Sequence, residues 1–99
     1  MYDDFNYKIC EFEKKIDLEE IKAKLESWSE MPGTFTPLGD RGARYTPDNW
    51  GFPTVYFATD GITLEVVTKD CDLNDVEDYL CGLAQLLGCK IFTEHLEYC

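Results

Sequence analysis

The side chains able to do chemistry are few. The chain holds one histidine, His95, and five cysteines, Cys10, Cys71, Cys81, Cys89 and Cys99. Cys89, His95 and Cys99 can be written as a C-x5-H-x3-C ligand set, but an extended strand over 90–98 would hold Cys89 and Cys99 roughly 30 Å apart, too far to share an ion. No metal site is therefore expected. CxxC is absent, which excludes a thioredoxin-type redox pair and a zinc knuckle. His95 has no Ser or Cys partner in any nucleophile motif. The run Asp70-Cys71-Asp72-Leu73-Asn74 opens like a calcium loop, yet the sixth position is Asp75 where glycine is needed and the twelfth is Cys81 where glutamate is needed. The adjacent carboxylates Asp3-Asp4 and Glu19-Glu20 follow from acidity alone, and neighbours on a helix do not converge. A non-enzymatic protein without cofactor is expected.

Charge is the outstanding property. In 99 residues there are 20 acids against 9 Lys plus Arg, giving a formal net charge of -11. Phosphate binding rests on Lys and Arg displacing counterions, so neither direct nucleic-acid binding nor docking on an anionic membrane is expected. Residues 1–30 carry -4, residues 31–53 carry zero and residues 54–99 carry -7. The acidic pole consists of Asp60, Glu65, Asp70, Asp72, Asp75, Glu77, Asp78, Glu94 and Glu97. Such a field either meets a basic surface on a partner protein or only keeps a small domain soluble. A charge of about 2–8 suffices for solubility, which leaves an excess.

Two further patches could bind. Residues 39–51 hold both arginines, Arg41 and Arg44, with Tyr45 and Trp50, residue types enriched at binding hot spots. Their alternative role is a local Arg–Asp clip closed over Trp50. The uncharged run over 79–89 puts Cys81, Gly82, Ala84 and Gln85 around a leucine stripe. Glycine inside a helix costs about 1 kcal/mol against alanine, which asks for close packing by another element or by a second copy in a homodimer.

The elements that position these residues follow from periodicity. Residues 6–13, 54–59, 62–69 and 90–98 read as strands. Asp60-Gly61 suits a two-residue type I′ turn between the middle pair. Asp17, with Glu20 three residues on, starts a helix whose apolar stripe is Leu18, Ile21, Leu25 and Trp28, ending near Glu30. Asp72 caps a second, with Leu73, Val76, Leu80, Leu83 and Leu87 on one face and Gly88 as its stop. Residues 31–53 take all four prolines and four of seven glycines, and read as a long irregular loop with a short extra strand at 34–36. The expected fold is one α+β domain over 1–99, a ferredoxin-like β-α-β-β-α-β unit with an antiparallel sheet, two helices on one face and that loop between helix 1 and strand 2.

Familiar uses of this order are excluded residue by residue. Acylphosphatases need a Gly- and Arg-bearing loop where Lys14-Lys15-Ile16-Asp17 stands. Metal chaperones need CxxC, and RNA-recognition domains need basic and aromatic residues where Ile62 to Lys69 reads ITLEVVTK. The N-terminus lacks a basic and apolar leader, so a cytoplasmic protein with reduced thiols is expected. In size and charge the chain resembles small phage inhibitors of host defence, such as anti-CRISPR and anti-restriction proteins, and acidic toxin-immunity proteins. That resemblance covers composition and implies a protein partner whose basic surface handles nucleic acid. The alternative is a small dimeric regulatory domain binding a peptide or small ligand through residues 39–51.

Overall fold

The computed structural model describes residues 7–49, 51–68, 71–93 and 97–98. Among these, seven strands form one antiparallel sheet with two helices packed on it. The strands are β1 (Tyr7–Phe12), β2 (Gly33–Pro37), β3 (Ala43–Pro47), β4 (Thr54–Phe57), β5 (Thr63–Val67), β6 (Ile91–Phe92) and β7 (Glu97–Tyr98). The helices are α1 (Leu18–Glu26) and α2 (Leu73–Leu87). Strand order is β2-β3-β4-β5-β1-β6-β7. The α+β class, the antiparallel sheet and the two helices agree with the sequence reading. The bare β-α-β-β-α-β order is not matched, because strands are added at both ends.

One addition comes from residues 31–53, which are not an irregular loop. Thr34-Phe35-Thr36 and Arg44-Tyr45-Thr46 alternate in the two-residue period of strands and pair as β2 and β3, with Phe35 opposite Tyr45. A single turn of 3-10 helix at Gly39–Arg41 joins them. Gly42, at φ 95°, closes this turn by accepting from the Leu38 amide at 2.8 Å. A Cβ there would run into the Phe57 carbonyl oxygen of β4, so only glycine lets the hairpin seat beside β4. High Pro and Gly content hid the hairpin because here both residue types sit at its ends.

The other addition is a reversal at the C-terminus. The expected single strand over 90–98 is broken into β6 and β7, which pair with Ile91 opposite Tyr98. The roughly 30 Å separation assumed for Cys89 and Cys99 rested on an extended strand, and that premise fails. Among the described residues no group of His, Cys, Asp or Glu could hold a metal ion. His95 and Cys99 lie outside the described residues.

Caps differ in detail too. Asp17 precedes α1 but its side chain caps nothing, so the expected box with Glu20 does not form. The helix stops at Glu26, where the Ser27 hydroxyl donates to the Lys24 carbonyl at 2.8 Å, and Trp28 follows outside it. For α2, Asp72 Oδ1 accepts from the Asn74 amide at 2.8 Å and Gly88 sits at φ 66°, as expected.

The core lies between the sheet and both helices. Ile21 and Leu25 of α1 and Val76, Tyr79, Leu80, Leu83 and Leu87 of α2 meet Cys10, Phe12, Tyr45, Val55, Phe57, Leu64, Val66 and Ile91 of the sheet. Both helices thus cover one face and leave the other open. No helix among the described residues is long and apolar enough to cross a membrane.

Candidate functional site

Register alone determines which side chains share the open face. Thr36 lies opposite Arg44, Arg44 opposite Tyr56, Tyr56 opposite Glu65 and Glu65 opposite Ile9. Directly paired residues project to the same side of a sheet, so these five form one row across five strands. The next row, Ala43, Phe57, Leu64 and Cys10, faces the helices and is buried. The open row therefore runs from a cationic side at β3 to an anionic and apolar side at β5 and β1. Ile9 is 51 % exposed, one of two large apolar side chains left in solvent among the described residues.

A cavity of about 360 Å³ opens at one end of this row. Its walls come from Ile9 of β1, Tyr56 of β4, Thr63 and Glu65 of β5, and Leu38 and Arg41 of the β2–β3 turn. The hairpin that replaced the expected loop therefore builds one wall. Among the described residues neither Arg41, Arg44 nor Glu65 is in an ion pair, which removes the Arg–Asp clip. The Nε of Arg44 is buried and has no hydrogen-bond partner. A second cavity, of about 380 Å³, lies where Glu30 and Met31 meet Asp48, Asn49 and Phe52.

The residues expected to form one acidic surface are dispersed. Asp72, Asp75, Glu77 and Asp78 are exposed along the first turns of α2, on the helical side, and none is in an ion pair among the described residues. Glu65 is on the opposite side, in the open sheet face. Asp60 belongs to the β4–β5 connection and does structural work there. Its carboxylate accepts from the Ile62 and Thr63 amides and from the Thr63 hydroxyl, each at 2.8 Å. The Thr63 amide first, then that of Ile62, hold its pKa below the ordinary 3.8. The connection is consequently wider than the two-residue turn expected, with the Ala58 amide bonding to the Thr63 carbonyl and Gly61 at φ 74°. Glu97 is in β7, and Asp70 and Glu94 lie outside the described residues.

The 39–51 patch divides likewise. Arg41 is exposed and Arg44 half-buried, but Tyr45 is 1 % exposed, with its hydroxyl donating to the Met31 carbonyl at 2.8 Å. Tyr45 is a core residue, not a contact residue, because odd positions of β3 face the helices. Trp50 lies outside the described residues.

The small-residue surface of α2 is corrected most. Ala84 is 1 % exposed and faces the core. A Cβ on Gly82 would stand 3.3 Å from Cζ2 of Trp28, so the close packing that this glycine serves lies within the chain. Gln85 is exposed and its amide reaches the Cys81 sulfur at 3.6 Å. Cys81 is disulfide-bonded, whereas Cys10 and Cys89 are free thiols. The expectation of reduced thiols throughout fails at Cys81. The returning β7 packs against α2.

Burial pushes the Cys10 thiol up to about 11, with Lys8 opposing weakly, so at neutral pH it is protonated and unreactive. Sequence reasoning missed Ile9, Leu38 and Tyr56. The alternation in YKICEF was the available signal, since it sets Ile9 against Cys10 and Phe12.

No family model matches the chain, and no curated protein or solved structure matches it.

Proposed function

We propose that the protein is a non-enzymatic acidic binding domain that blocks a protein partner through that partner's basic, nucleic-acid-handling surface. One observation carries the reading: Asp72, Asp75, Glu77 and Asp78 stand exposed and without ion-pair partners among the described residues. A net charge of -11 in which these carboxylates are not neutralised internally makes a long-range negative field. Desolvating them against another protein is favourable only if arginine or lysine meets them there. Because Glu65 is on the opposite side of the sheet and Asp60 is bonded within the β4–β5 connection, the contact surface is the helical layer, with α2 at its centre and Glu19 and Glu26 of α1 at its margin.

The same reading has a finer architectural side. β4, β5, β1 and β6 lie side by side in that order, and with α1 and α2 they form a ferredoxin-like unit extended at β4 by the β2–β3 hairpin.

The test is capture on immobilised protein at low salt, with captured proteins identified and tested for nucleic-acid binding. The expected partner is basic, is released as salt rises, and is displaced by duplex DNA. Asp75→Lys combined with Asp78→Lys should abolish capture. A partner that binds DNA and this protein simultaneously, or that ignores the charge reversal, contradicts the proposal.

A further inference from the structure

The open-face cavity contains a combination that constrains its ligand. Arg41 and Glu65 both line it, yet they form no ion pair with one another or with any other described residue. Two opposite charges therefore border one space of about 360 Å³ without meeting. A simple anion would be drawn to Arg41 and repelled by Glu65. A simple cation would meet the reverse. A molecule bearing both charges satisfies both walls.

Ile9 and Leu38 supply the third requirement, an apolar wall, and Ile9 is too exposed to be explained by the core. Tyr56, which also lines the cavity, is paired with Glu65 on one side and with Arg44 on the other. Arg41 comes from the β2–β3 turn and Glu65 from β5, so the ligand's orientation is set as well. Its negative end points to the β2–β3 hairpin and its positive end to β5. The charge pair and the apolar wall agree on one class.

We propose that this cavity binds a free α-amino acid with an apolar side chain, its carboxylate on Arg41, its ammonium on Glu65 and its side chain against Ile9 and Leu38. A peptide terminus offers one of the two charges and is discriminated against. The site lies on the side of the sheet opposite α2, so it is independent of the acidic binding surface.

The experiment is amide NMR on the full chain titrated with leucine, isoleucine, methionine and phenylalanine. In parallel, N-acetyl-leucine lacks the ammonium and leucine amide lacks the carboxylate. The expected result is saturable shifts at Ile9, Tyr56, Thr63 and Glu65 with at least one amino acid. Each mono-charged analogue should bind about tenfold more weakly, since a hydrogen bond to a charged group is lost. Arg41→Met and Glu65→Gln should each weaken the amino acid by a similar factor while the remaining spectrum stays in place. Absence of saturable shifts with all four amino acids overturns the proposal. So does equal binding of the mono-charged analogues, or indifference to both substitutions.

Discussion

Replacing Tyr79 with phenylalanine should make the protein more stable. Tyr79 is fully buried on α2, with its ring 5.4 Å from that of Trp28 and 5.6 Å from that of Phe52. Its hydroxyl has no hydrogen-bond partner. Burying such a group unpaired costs about 1–3 kcal/mol. Phenylalanine removes the oxygen, keeps both ring contacts and leaves a void too small to matter, so a gain of about 1–2 kcal/mol is expected. For a domain this size 1 kcal/mol moves the midpoint by about 4–8 °C, so Tm should rise by about 5–10 °C. The control is Tyr45→Phe, the same chemical change at a hydroxyl that donates to the Met31 carbonyl at 2.8 Å. That variant should lose about 1 kcal/mol. Opposite signs for two identical substitutions exclude a general benefit of phenylalanine. The pH dependence adds a second check. Burial first, and the neighbouring Tyr45 second, raise the Tyr79 pKa above its ordinary 10.0. Above pH 10.0 the unfolded chain therefore releases a proton that the folded chain retains, and stability falls as pH rises. Tyr79→Phe should flatten that fall. Thermal and urea unfolding of both variants at neutral and alkaline pH measure these effects, and a Tyr79→Phe protein less stable than its parent refutes the reasoning.

Gly42→Ala should cost about 3 kcal/mol in urea unfolding, because the added carbon meets the Phe57 carbonyl at a positive φ; a near-neutral result would mean that the hairpin does not seat on β4. Asp60→Ala should cost about 1 kcal/mol, whereas Asp60→Asn, which keeps an acceptor for the Ile62 and Thr63 amides, should cost less. Because the folded pKa of Asp60 is depressed, its contribution is present above pH 3.8 and is lost as pH falls further, a loss that Asp60→Asn should not show. Ellman titration of the chain unfolded without reductant should count fewer than five thiols, and a count of five contradicts the bond at Cys81.

What the sequence made legible was whatever local periodicity and caps control. The α2 stripe with Asp72 before it and Gly88 after it is written in consecutive residues, and both caps form as read. The β4 and β5 segments are legible for the same reason. Long-range decisions were not. That 31–53 would pair with itself and then with β4 depends on Gly42 meeting the Phe57 carbonyl, a contact between residues fifteen apart in sequence. That α2 carries Gly82 for Trp28, and not for a partner, depends on where α1 ends. The binding surfaces were the least legible part. An acid's place in the sequence says nothing of its side of the sheet, and Glu65 and Asp75 lie ten residues apart on opposite faces.

Association kinetics with a captured partner, followed by surface plasmon resonance across a range of salt concentrations, address the acidic helical layer most directly. A steered encounter predicts an association rate that falls steeply as salt rises, with dissociation little changed. The Asp75→Lys, Asp78→Lys protein should associate about tenfold more slowly at low salt and respond less to salt. An association rate indifferent to salt, and equal for the two proteins, would contradict the assignment of α2 as the binding face.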